Sequence, residues 1–171
     1  MRWAVLFVAI WCCSIGCDSP VSSQNTTIPQ WPALPPGARA VPTEPIEMVG
    51  GISSGFQQPA RVVIDNQQDW GSFWETYEQG RFPKTDPPAI DFERNQIIAG
   101  IMGQRNTGGY DISIAGVFES TDGVIVRVLE TSPGRDCAVI QAVTSPVTAV
   151  RIPRSQLAVE FVDAGMTLRC N

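Results

Sequence analysis

The stretch DISIAGVFESTDGVIVRVLE, residues 111–130, decides the fold. Ile112 and Ile114 point one way, Asp111 and Ser113 the other, so apolar and polar positions alternate with a period of two. The run VIVRVLE from Val124 to Glu130 alternates in the same way. Between them stands Asp122-Gly123, a pair that takes up tight turns readily. Two alternating runs joined across such a pair make a β-hairpin.

Upstream of the hairpin the period changes. PARVVIDN carries a strand signal around Val62 to Ile64. In DNQQDWGSFWETYEQG, Trp70, Phe73, Trp74 and Tyr77 then fall at i, i+3, i+4 and i+7, one face of a helix. Asn66 is placed to cap its start, with Asp69 three residues on, and Gly80 to stop it. Such a stripe is a helix face buried against a sheet, and burying each ring contributes roughly 2–3 kcal/mol before entropy costs. RFPKTDPPAIDFERN reads as a loop ending in a short helical turn capped by Asp91, and QIIAGIMG as a buried strand. After the hairpin, DCAVIQAVTSP, VTAVRIP and LAVEFVDAG supply further strand signals. One early amphipathic helix followed by many short strands predicts an α+β fold: a single domain with a mainly antiparallel or mixed β-sheet.

The first residues follow another logic. In MRWAVLFVAIWCCSIGCDSP, Arg2 supplies a positive start and Trp3 to Ile15 an apolar run too short to span a bilayer comfortably. SIGC resembles a bacterial lipobox, although Ser14 stands where leucine is usual. That resemblance implies cleavage before Cys17 and lipidation of its thiol. The boundaries expected are a lipoprotein signal peptide over 1–16, lipidated Cys17 with a Pro-rich disordered tether over 17–47, and a globular domain over 48–171. Proline and small polar residues dominate the tether, which at roughly 3 Å per residue would reach several tens of ångströms. Within it, Trp31 is a local packing residue or a weak docking point, and the sequon at Asn25 reads as unmodified linker. The expected location is the bacterial cell envelope, with the exported chain attached to a membrane through lipid.

Cysteine use agrees with export. Cys12 and Cys13 leave with the signal peptide, Cys17 carries lipid, and Cys137 and Cys170 remain as an even pair in an oxidising compartment. They are the disulfide candidates. The alternative is a buried small Cys137 and a loose thiol at Cys170.

Composition narrows function by exclusion. The chain has 171 residues, 43% of them hydrophobic, and a formal net charge of −5. That balance argues against a nucleic-acid partner, which calls for a basic stripe. There is no histidine, so neither a Ser-His-Asp nor a Cys-His nucleophile nor a histidine zinc site can be built. Lys84 is the single lysine. No catalytic residue, metal ligand or cofactor is assigned. A carboxylate-dependent hydrolase using Asp86, Asp91, Glu93 or Glu130 is the weakest alternative, since Asp91 reads better as a cap and Glu130 as a strand-end charge.

Directly before the hairpin comes GQRNTGGY, residues 103–110. Gly108 and Gly109 tolerate positive φ or a close backbone approach, Asn106 and Thr107 suit turns, and Tyr110 is in phase with Ile112 and Ile114. A turn aiming the chain into a strand explains each of these residues. The motif also resembles the G-x-[RK]-x-T-G-G-Y signature of the PrcB C-terminal domain family. Ser54-Gly55, Arg61 to Ile64, Asp69 to Trp74, Asp91-Phe92, Thr144 to Pro146 and Val150 to Pro153 resemble other family positions, in order, from about residue 52 to 155. Asn106 stands where proline is common, which implies a less rigid loop.

The family takes its name from a lipoprotein associated with an outer-surface, subtilisin-like protease complex. The resemblance implies an accessory, protein-binding role for a non-enzymatic chain, with an envelope protein such as a protease as partner. The candidate binding residues are Arg105, Asn106, Thr107, Gly108, Gly109 and Tyr110, whose amides are expected to meet a partner's backbone. A Thr-Gly loop before a strand also loosely resembles one loop of chagasin-type inhibitors, which makes a loop-type protease inhibitor the alternative.

Overall fold

The computed structural model describes residues 29–48 and 54–170. The signal segment, Cys17 and Asn25 lie outside the described residues. The described chain is α+β: one helix and eight strands in two sheets. In chain order these are β1 (Arg39–Ala40), β2 (Glu44–Pro45), β3 (Ala60–Ile64), α1 (Gln67–Tyr77), β4 (Asn95–Ile101), β5 (Asp111–Glu119), β6 (Val124–Pro133), β7 (Val147–Pro153) and β8 (Val159–Leu168).

The hairpin forms as its alternation predicts. β5 and β6 pair antiparallel from Asp111↔Thr131 to Glu119↔Val124, with one irregularity between Ile114 and Gly116. The turn closes through the amide of Ser120, which donates to the carbonyl of Gly123 at 2.9 Å. β1 adds antiparallel to the far side of β5, and β8 adds parallel to β6, giving a first sheet in the order β1-β5-β6-β8. The second sheet runs β2-β7-β4-β3, antiparallel throughout.

The two sheets and the helix make three layers, and β4 is the middle of them. Ile97, Ala99 and Ile101 pack with Trp70, Phe73, Trp74 and Tyr77 of α1. Ile98 and Met102 pack the other way, with Ile112, Val117, Val124, Val126 and Val128 of the hairpin. Both faces of β4 are therefore covered, which is why QIIAGIM reads as a continuous apolar run and not as an alternation.

The helix follows its sequence signals closely. Asn66 is the N-cap, its side-chain oxygen accepting from the amide of Asp69 at 2.9 Å. The helix ends at Tyr77 with Glu78 as its C-cap, and Gly80, two residues beyond the cap, takes the left-handed φ of +82. The two buried indoles satisfy their N–H groups on the following loop: Trp70 donates to Pro88 O at 3.0 Å and Trp74 to Thr85 O at 2.8 Å. Asp91 caps its turn, accepting from the amide of Glu93 at 3.0 Å.

Two expectations are corrected. The tether expected up to residue 47 gives way to folded chain earlier. β1 and β2 lie inside it, Val41 packs on the core between the sheets, and Ile46 and Met48 pack on the core beneath the helix. Two-residue edge strands carry no readable period, and Pro45 is tolerated because it sits on an edge. Trp31 packs locally: the Arg127 guanidinium lies 5.4 Å from its ring centroid and 5.2 Å from that of Phe118, and donates to Pro32 O at 2.7 Å. Second, DCAVIQAVTSP is an irregular loop, not a strand; it has a single bridge, Thr144 to Arg105. Its apolar residues misled the reading because Ile140 and Val143 face solvent, 56% and 55% exposed.

Candidate protein-binding loops

Sequence places the glycine motif alone before β5; the fold gives it a partner segment. The amide of Arg105 donates to Thr144 O at 2.8 Å, and that of Thr144 donates back to Arg105 O at 2.9 Å. The amide of Gly108 donates to Ile140 O at 2.9 Å, and the hydroxyl of Thr144 donates to Thr107 O at 2.8 Å. Residues 105–108 and 140–144 therefore form one paired unit.

This pairing engages two of the six amides expected to meet a partner. The amides of Arg105 and Gly108 are taken up inside the protein and do not present to a partner. What faces outward is side chain: Asn106 is exposed, Arg105 half-buried, and Ile140 and Val143 exposed beside them. The Arg105 guanidinium lies 5.7 Å from the Tyr110 ring centroid and donates to Gln104 O at 3.2 Å, so its charge is held at the surface.

The two glycines divide the work. Gly109 has φ +83, a conformation that side chains rarely adopt. Gly108 is buried, and a Cβ there would lie 2.5 Å from Cγ1 of Ile140. Gly108 lets Ile140 lie across the loop, and Gly109 turns the chain into β5. Tyr110 is half-buried and packs with Ile112 and Ile114 on the core between the sheets, as its phase predicts.

The other positions that carry the family resemblance support this unit. The hydroxyl of Ser54 donates to that of Ser145 at 2.8 Å, which in turn donates to Phe56 O at 2.6 Å. Thr144 and Ser145 are thus pinned from both sides. Cys137 and Cys170 form a disulfide with their Cα atoms 4.9 Å apart, anchoring the start of the 137–144 loop to the end of β8. Arg61 on β3 bridges the sheets, donating to Glu130 at 2.6 Å, to Asp163 at 2.8 Å and to Ile101 O at 2.9 Å. Burial lowers the pKa of this guanidinium, but the hydrogen bonds to Glu130 and Asp163 more than reverse that and hold it above its ordinary value.

The structure does not bring together the four carboxylates considered for a hydrolase. Glu130 is bound to Arg61. Asp91 and Glu93 share an open groove with Asp65, Asn66 and Phe92. There Arg154 donates to the carbonyls of Phe92 at 2.6 Å and Asp65 at 2.9 Å, and Asp91 serves its own turn. Asp86 lines neither that groove nor the Arg61 cluster. Among the described residues no group of three or more Cys, Asp or Glu is placed to hold a metal ion, and no helix is long and apolar enough to cross a membrane.

Sequence reading missed Ile140 and Val143. The available signal was the motif TSP at Thr144 to Pro146, which ends the loop, but nothing in the sequence indicates that the loop pairs with residues 105–108.

Neither the curated proteins nor the solved structures contain a match to the chain. The family comparison does: residues 97–153, from β4 through the glycine loop and the hairpin to the end of β7, match the family model described as PrcB C-terminal.

Proposed function

We propose that this chain is an exported accessory subunit, anchored by lipid on Cys17, that binds a protein of an envelope protease complex through its paired loops. The observation that carries the reading is the PrcB C-terminal match over 97–153, which contains both loops whole. The outward surface is suited to protein binding: apolar anchors at Ile140 and Val143 beside the cation of Arg105 and the amide side chain of Asn106. The amides of Arg105, Gly108 and Thr144 hold the two loops together, so a partner meets a preorganised surface and less ordering cost attends binding.

Photo-crosslinkers placed at Asn106 and at Val143 in the full-length protein, in its own envelope, test this. Both positions are expected to capture the same protein, a protease or a protein bound to one. Capture of nothing at either site, with crosslinks at unrelated surface positions, refutes the assignment. Titrating the captured protease with the purified protein then separates roles. An accessory subunit leaves turnover unchanged or raises it, and a loop-type inhibitor suppresses it stoichiometrically.

A further inference from the structure

The outer edge of β8 is the longest open backbone edge among the described strands. β8 is the last strand of the first sheet, and its ladder with β6 runs unbroken from Val124↔Val159 to Pro133↔Leu168. Among the described residues no strand pairs with its other side. Edge strands are usually blunted by a bulge, a proline or charged side chains. β8 has no bulge, proline or lysine: its sequence is VEFVDAGMTL, its register shows no shift, and of its two charges, Glu160 and Asp163, the second is paired with Arg61.

The strand is also held ready. Asp163 is bound by Arg61 at 2.8 Å near its middle, and the Cys137–Cys170 disulfide fixes the chain just past its end. Val159 and Phe161 pack inward on the core, so Glu160, Val162, Ala164, Met166 and Leu168 share the outer face. Val162, Ala164 and Met166 are half-buried there, and Leu168 is 42% exposed. A strand with apolar residues on its outer face and a free edge is built to be extended by another strand.

We infer that β8 pairs antiparallel with β8 of a second copy of this chain, joining two first sheets into one continuous sheet. The strand is self-complementary in one register. Directly opposite residues must lie on the same face, so a two-fold axis passes through a residue position. Centred on Ala164, Val162 stands opposite Met166 and Glu160 opposite Leu168. On the inner face Phe161 stands opposite Thr167 and Asp163 opposite Gly165. A Cβ at Gly165 would meet nothing within 4 Å, so the position opposite Asp163 is open. Centring on Asp163 would set two carboxylates against each other, which is destabilising. Centring on Val162 or Gly165 shortens the overlap. Charge placement and overlap therefore select the same register.

The experiment uses the full-length protein in detergent, measured by sedimentation at roughly 10 µM to 1 mM. The wild type is expected to show a reversible monomer–dimer equilibrium. Ala164→Glu and Ala164→Lys each set two like charges opposite each other at the axis and should weaken the dimer by about fivefold. An equal mixture of the two variants should recover dimer, because the charges then become opposite. Unchanged far-ultraviolet circular dichroism and an intact Cys137–Cys170 bond in each variant confirm that the fold is kept. A wild type that stays monomeric throughout overturns the inference. So does a dimer that ignores both substitutions, or a mixture that stays as weak as its components. Crosslinks from β8 that lead only to a different protein also overturn it. The paired loops are untouched by these variants, so the outcome is independent of the crosslinking at Asn106 and Val143.

Discussion

Gly108 and Ile140 are locked together in two ways: the Gly108 amide donates to the Ile140 carbonyl at 2.9 Å, and the Ile140 side chain occupies the place a Gly108 Cβ would take, 2.5 Å from it. The candidate binding surface depends on this contact, since it sets Ile140 and Val143 beside Arg105. Stability and binding should therefore separate by residue. Gly109→Val is expected to destabilise the protein by about 1 kcal/mol or more, because φ is +83 there. Arg105→Ala, at a half-buried surface position, is expected to change stability by less than about 0.5 kcal/mol yet weaken binding of the crosslinked partner. Urea unfolding together with a binding titration checks both. Normal binding by Arg105→Ala would reduce the motif to a turn.

Arg61 joins the sheets, and its side chain is only 16% exposed. Removing it leaves the half-buried Glu130 without its cation. Arg61→Ala is expected to cost about 2 kcal/mol in chemical denaturation, the Asp163 half of the cluster being discounted for its exposure. Arg61→Lys should recover only part, since one ammonium cannot reproduce the separate bonds to Glu130, Asp163 and the Ile101 carbonyl. Full recovery by lysine would show that charge alone matters.

The Cys137–Cys170 bond spans a sequence separation of 33 residues. On the chain-entropy account a loop of that size stabilises by roughly 3–4 kcal/mol. Cys137→Ser with Cys170→Ser should lower the unfolding midpoint accordingly and increase hydrogen exchange in residues 137–144 ahead of β4. Peptide mapping of the protein from its own envelope should find the pair bridged. Two alkylatable thiols there would contradict the pairing.

Tyr77 gives a pH dependence with a definite sign. Burial raises its phenol above its ordinary value of 10.0, the nearby Arg81 charge opposing this in part. The folded state therefore holds the proton more tightly than the unfolded state. The associated stability is fully present below about pH 10, the unfolded value, and is lost as pH rises through the folded value. The difference in stability between wild type and Tyr77→Phe should be constant below that point and change above it, with the wild type falling faster. Parallel curves would rule out a role for this phenol.

Cys17 lies outside the described residues, so its proposed lipid is tested chemically. Cys17→Ser is expected to block maturation and to release the protein from the membrane fraction, since stable anchoring takes more than one acyl chain. Unchanged processing and partitioning would remove the anchor from the proposal.

Local chemistry alone determined much of this protein. Helix α1, its Asn66 cap, its aromatic face and its glycine stop were all legible, because each rests on neighbours within a few residues. The hairpin across Asp122-Gly123 was legible for the same reason; that Gly109 and not Gly108 takes the positive φ was not. Tertiary structure decided what no local pattern records. It split the strands into two sheets and covered both faces of β4. It drew residues 39–46 out of an apparent tether onto two sheet edges, where two-residue strands leave no period to read. It set 140–144 against 105–108, which turned an apolar run that reads as a buried strand into a loop with Ile140 and Val143 outside. The physical reason is common to all of these: a residue's side-chain period reports which faces are covered only when a strand is long enough and has one face buried, whereas edge position, layer and loop pairing depend on contacts between residues tens of positions apart.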